Sequence, residues 1–155
     1  MILETIVSTI NQERQVNFAP FGITKKSKNI IISPYIPSTT LQNLRYNNCA
    51  VINYVDDASF YVNCILGNKN FKKKKTQIID GFFLVNSLSY DEVVVKKVIE
   101  DSVRPSFVCE VVKSVSKKKY DGHNRAKAAI IEACILASRV KLLKKKKILD
   151  ELNYL

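Results

Sequence analysis

Apolar positions in the first third of the chain recur at strand-like intervals, and polar clusters punctuate them. Residues 2–9 alternate loosely and are rich in β-branched side chains, which predicts a strand ending at the polar turn 11–15. Residues 16–24 form a second strand pattern. Pro20 and Gly22 inside it mark a place where the backbone is irregular or something approaches it closely. A lysine-rich turn at 25–28 leads to a third strand over 29–35, whose Ile30-Ile31-Ile32 run hides both faces. Pro37 stops that strand. Thr39 and Gln42 then fit a capping box, with the Thr39 hydroxyl accepting an amide three residues on, and a short helix runs to about Asn47. A fourth strand spans 49–56, and Asp57 caps a helix over 58–66 that ends at Gly67.

The second half is less regular at first. Residues 68–77 read as a lysine-rich loop, and the apolar stretch 78–88 suits helix and strand alike. Residues 90–101 and 106–116 are dominated by β-branched side chains, with a link short enough for a hairpin. Six or seven short strands with few helices between them predict an antiparallel barrel in a mainly β, α+β chain. From Asn124 onward the pattern is helical. Residues 126–137 are so nearly all small or branched that this helix should be covered on more than one side. Ala129, Ala133 and Ala137 leave room for close approach, with a second subunit as the natural partner. The expected organisation is a barrel domain over 1–120 and a C-terminal helical segment over 121–155 that packs on the barrel or on a dimer partner.

At 155 residues and 46% hydrophobic, the chain can bury one sizeable core. Its start lacks a basic segment followed by an apolar one, and no later stretch is long and apolar enough to span a bilayer, so it reads as soluble and cytoplasmic. Cys49, Cys64, Cys109 and Cys134 stand at wide, irregular spacings beside a single histidine, which argues against zinc and for buried thiols, while leaving a Cys64–Cys109 disulfide open. The formal charge of +11 is uneven: residues 1–60 hold five Lys/Arg against four Asp/Glu, residues 61–155 twenty against ten. The runs at 72–75, 117–119 and 144–147 invite a nucleic-acid reading. Apart from Phe71, no aromatic or arginine interleaves them closely, so solvated loops and helix ends are the plainer interpretation.

Three groups of residues carry candidate chemistry. Ser38, Thr39 and Thr40 follow a proline at a helix start, where unbonded amides and the helix dipole favour an anion such as phosphate; one hydroxyl would suffice for a cap. Arg125, Glu132 and Arg139 recur every seven residues on one helix face, a pattern that ordinary wet faces also show. Arg125 and Lys127 nevertheless occupy a first turn where the dipole repels cations, a conflict that a bound anion would resolve. Asn17 and Asn53 lie on strands, where asparagine is disfavoured unless its amide bonds something. With Asn43, Phe18, Phe21, Tyr35 and Tyr54 they suit a flat heterocycle with polar edges, or alternatively turn and core packing. No nucleophile–base–acid set, P-loop or dinucleotide fingerprint is present, so any redox chemistry must come from a cofactor.

The segments Asn17-Phe18-Ala19-Pro20-Phe21-Gly22, Ser38-Thr39-Thr40 with Asn43-Leu44, Ala50-Val51-Ile52-Asn53 and Asn124-Arg125-Ala126 with Ile131-Glu132-Ala133 resemble a largely prokaryotic family of unknown function. Its members look like FMN-binding split β-barrels related in fold to flavin reductases and pyridoxamine phosphate oxidases. The resemblance covers nearly the whole chain, most specifically its first half. It implies a homodimer that binds FMN near the subunit interface. Ser38, Thr39 and Thr40 would hold the phosphate, Asn43 would support that turn, and Asn17, Phe18, Ala19, Pro20, Phe21 and Gly22 would line the ring system. Asn53 would complete the wall, and Arg125, of this subunit or of its partner, would add charge near the phosphate. Ser33 and Ala128 depart from the family pattern, which often has a basic residue and a histidine there. A deazaflavin or a pyridoxal phosphate-like ligand fits the same residues; the resemblance implies FMN binding and not catalysis, with a flavin-dependent oxidoreductase as the activity such binding would serve.

Overall fold

The computed structural model describes all of residues 1–155. The elements in chain order are β1 (Ile2–Ile10), β2 (Val16–Lys26), β3 (Asn29–Ile32), α1 (Thr39–Asn47), β4 (Cys49–Tyr54), α2 (Ser59–Leu66), β5 (Lys73–Lys75), β6 (Phe82–Leu84), β7 (Ser89–Ile99), β8 (Ser106–Ser116), α3 (Arg125–Ser138) and α4 (Lys145–Tyr154). They fall into two compact units, one of Met1–Val55 with Asn70–Lys119 and one of Asp56–Lys69 with Tyr120–Leu155. No helix is long and apolar enough to cross a membrane.

The first unit is a six-stranded antiparallel closed barrel in the order β1-β2-β3-β8-β7-β4, with β5 and β6 as a separate two-stranded sheet. Its core gathers Val7, Ile23, Ile30, Ile32, Ile52 and Phe107 from the strands, and Leu41 and Leu44 from α1. Burying these branched side chains supplies the main drive to close the barrel, and a fully buried residue of this kind contributes roughly 1.5–3 kcal/mol. The third strand stops at Ile32, short of Tyr35, because Pro34 and Pro37 lie in the run that leaves the sheet. Lys73–Lys75, expected in a loop, forms β5 by pairing with β6. Gly67 ends α2 at φ 82, as its place after the helix suggests. At the start of α2 the Asp57 carboxylate accepts the Ser59 amide, although Ala58 holds the capping position.

Strand β7 buries four successive residues, Tyr90, Asp91, Glu92 and Val93, and its ladder with β8 shifts register between Glu92 and Val93. Both acids are satisfied within the protein. The Glu92 side chain, 0% exposed, accepts the amides of Gln77 at 3.0 Å, Ile78 at 2.8 Å and Ile79 at 3.0 Å. Asp91 accepts the Tyr54 hydroxyl at 2.7 Å and the Ser114 hydroxyl at 2.6 Å. Burial, and then the neighbouring Asp91 carboxylate, push the Tyr54 phenol well above its ordinary value of 10.0. A phenol raised in the folded state stabilises that state fully below its unfolded value and loses the effect as pH climbs beyond it. An ultraviolet titration of tyrosine ionisation should therefore show a late-ionising phenol that Tyr54→Phe removes, apart from Tyr90, which burial also raises; a single transition near 10.0 for all tyrosines would refute this.

One lysine of the 117–119 run is structural. The Lys117 ammonium donates to the Leu84 carbonyl at 2.9 Å, the Val85 carbonyl at 2.6 Å and the Ser87 hydroxyl at 3.2 Å, and sits 5.0 Å above the Phe83 ring. All four cysteines are free thiols, so Cys64 and Cys109 are not bridged.

The second unit holds α2, α3 and α4. Of the residues of α3, Leu136 is buried and Ile130 is 45% exposed. The first-turn conflict of α3 is partly resolved without a ligand. Asn124 caps the Lys127 amide, and the Lys127 ammonium pairs with Asp56 at 2.7 Å.

Candidate functional site

Of the candidate residues of the first unit, Asn17 on β2 meets Thr40 at the start of α1. The helix is capped by Ser38, not Thr39: Ser38 is extended at φ −156 and its hydroxyl accepts the Leu41 amide at 3.3 Å. The Gln42 amide returns to the Ser38 carbonyl. The amides of Thr39 and Thr40 stand one step earlier, at the end of the helix where protein acceptors run out. No acidic residue lies in this first turn. Thr39 is exposed at the surface, while Thr40 is 2% exposed and its hydroxyl accepts from the Asn17 amide at 3.1 Å. Asn43, 3% exposed, donates to the Thr9 hydroxyl at 3.0 Å. Thr9 and Asn17 are cross-strand partners, so these contacts lash α1 to the β1–β2 ladder.

Strand β2 pairs with β1 from Val16 to Thr24 but with β3 only from Thr24 to Lys26. The register with β1 alternates, and the turn bond from the Asn11 amide to the Gln15 carbonyl fixes its phase. Phe18, Pro20 and Gly22 therefore face their backbone polar groups away from β1, while those of Ala19 and Phe21 face toward it. The Phe18 ring packs edge-on to Phe71 at 5.4 Å.

Two candidates are placed differently. Asn53 is 0% exposed and its amide is engaged by the protein: it donates to the Ile6 carbonyl at 3.0 Å and the Ser8 hydroxyl at 3.1 Å, and accepts the Leu84 amide at 2.8 Å. Arg125 belongs to the second unit, where it lines an open groove of about 810 Å³ with His123, Ala128, Ala129, Glu132 and Tyr154.

Tyr35 is 44% exposed and acquires a neighbour that sequence reasoning did not single out. Arg104, in the link between β7 and β8, donates from Nε to the Ser33 carbonyl at 2.8 Å and lays its guanidinium 4.9 Å from the Tyr35 ring centre. A lone arginine before Pro105 carries no signal of this, because the partner segment lies 71 residues away.

Residues 3–118 match the model of a protein family described as protein of unknown function (DUF447), N-terminal domain, and residues 124–155 match its companion DUF447 model. No curated protein matches the chain. Among solved structures, an FMN-bound DUF447 protein from Methanosarcina mazei is 21% identical, superposes with a TM-score of 0.82, and aligns over 99% of this chain and 82% of its own. A 2-nitrobenzoate 2-nitroreductase from Pseudomonas fluorescens is 19% identical, with a TM-score of 0.64 over 74% of this chain and 64% of its own. A flavoredoxin from Methanosarcina acetivorans is 12% identical, with a TM-score of 0.65 over 77% and 70%. These likenesses establish the split-barrel fold.

Proposed function

The chain belongs to the DUF447 family, and from that premise we propose that it is a flavoprotein that binds FMN and serves as an FMN-dependent oxidoreductase, acting as a homodimer. The observation that carries this reading is the start of α1, where the Ser38 and Thr39 hydroxyls and the leading amides share a first turn without an acidic residue. Such a helix end suits a phosphate monoester. Thr40 contributes its amide, since Asn17 already holds its hydroxyl, and Asn43 keeps the helix seated on β1. The outward groups of Pro20 and Gly22, a carbonyl from the first and an amide and a carbonyl from the second, offer hydrogen bonds to the polar edge of a flat ring, with Phe18, Ala19 and Phe21 beside them and Tyr35 and Asn53 in supporting roles. When bound, FMN supplies electron or hydride transfer, and the protein's part is to hold and orient it. The FMN-bound relative from M. mazei supports the ligand assignment. The dimer is supported by α3, an apolar helix of 14 residues that buries only Leu136 within its own chain.

Visible absorbance and fluorescence titration test the proposal directly. Wild-type protein should bind FMN, and Ser38→Ala with Thr39→Ala should weaken binding by about 10- to 100-fold, the scale of one or two charge-assisted hydrogen bonds. Absence of FMN binding at micromolar protein would overturn it. Deazaflavin and pyridoxal phosphate compete in the same titration, and sedimentation of the same samples reads the oligomeric state.

A further inference from the structure

We infer that Arg104 is a further ligand of the flavin phosphate, a role that rests on the flavin reading above. The barrel unit contains three arginines, and two have their forks occupied. Arg14 reaches Asp80 through both terminal nitrogens at 2.7 and 2.6 Å, and Arg45 reaches Glu100 likewise at 2.9 and 2.7 Å. Arg104 makes neither kind of pair. Its only side-chain hydrogen bond is from Nε to Ser33, which leaves both terminal nitrogens without a protein acceptor.

The same arginine is nonetheless held firmly. Its backbone amide donates to Asp101 Oδ1 at 2.6 Å, its Nε is fixed on Ser33 and its face lies over Tyr35. Beside it, the Ile36 amide donates to the Val103 carbonyl at 2.9 Å, and the Ser33 and Ser106 hydroxyls meet at 2.9 Å. The link between β7 and β8 is thereby bound to residues 33–36, the run that leads straight into Ser38. The nearby carboxylates are committed elsewhere: Glu100 to Arg45, and Asp101 to the amides of Val103 and Arg104. Those amide bonds hold the Asp101 carboxyl below its ordinary value. An arginine with its stem anchored, its face stacked and its fork bare is preorganised for two-point recognition of a phosphate, because little side-chain freedom remains to be lost on binding.

Titration of the full chain with FMN and with riboflavin, which lacks the phosphate, separates this role from simple bracing. Arg104→Ala should weaken FMN by about 10- to 100-fold, the scale of a charge-assisted pair, and leave riboflavin affinity unchanged. Arg104→Lys, which retains the charge without the fork, should recover part of the loss, and added salt should narrow the gap between FMN and riboflavin in wild type more than in Arg104→Ala. Equal weakening of both ligands would show a bracing role and overturn the inference, as would FMN affinity that Arg104→Ala leaves intact. Wild-type protein that binds no FMN would remove the flavin reading and this inference together; wild type that binds FMN indifferently to Arg104 would remove only the latter.

Discussion

Replacing Glu92 by glutamine is expected to destabilise the protein by about 2–4 kcal/mol, which for a chain of this size corresponds to a fall of roughly 4–16 °C in Tm. The carboxylate is fully buried and accepts three amides from consecutive residues of one loop, Gln77, Ile78 and Ile79. Glutamine keeps the shape but substitutes an amide group for one oxygen. That group cannot accept the Ile78 and Ile79 amides, which then face another donor in a site without water to relieve them. Aspartate retains the charge but falls a methylene short, and should lie between the two. Urea unfolding followed by far-ultraviolet circular dichroism measures the difference, and a Glu92→Gln protein within 0.5 kcal/mol of wild type would show that the three bonds are dispensable.

Asn53→Leu should be similarly damaging, at about 2–4 kcal/mol, and should be so in the absence of any flavin. The leucine shares the asparagine's branched shape but is bulkier, so no cavity opens and some crowding adds to the cost. It strands the Leu84 amide and removes a donor from the Ile6 carbonyl, three strands being tied through this one side chain. Thermal unfolding of protein stripped of ligand is the decisive comparison. A stability loss seen only when FMN is present would move Asn53 from a support of the barrel to a direct contact with the ring.

The contrast between these two residues shows what could be read from sequence. Asn53 stood out because asparagine is unusual inside a β-branched strand, and the inference that its amide must bond something agrees with its three partners. Glu92 did not stand out, because an acid beside Asp91 in a polar-flanked strand looks like any surface acid, and its partners are backbone amides of a loop with no side-chain signature. Likewise β1, β2 and β8 were legible from alternation and β-branching, whereas β5 was not: three exposed lysines have no alternation to read, and only pairing with β6 makes them a strand. The cap of α1 was misplaced by one residue because Ser38 and Thr39 are both hydroxyl residues, and the extended backbone at Ser38 decides between them. The gathering of Asn17, Thr40, Asn43 and Thr9 was foreseen in part, since the first three were singled out but the strand pairing that unites them is a long-range property. Arg104 depended on the same kind of long-range closure.

Pro20 has a further effect on how the molecule behaves in a crowded solution. It occupies a non-hydrogen-bonded position opposite Ile6, so its ring stands where an outward amide would otherwise project from the side of β2 that β3 leaves uncovered. A foreign strand arriving at that edge finds a missing donor in mid-ladder and cannot zip along it. The barrel can thus leave part of one strand unpaired while refusing the strand-to-strand growth by which exposed sheet edges seed fibrils and aggregates.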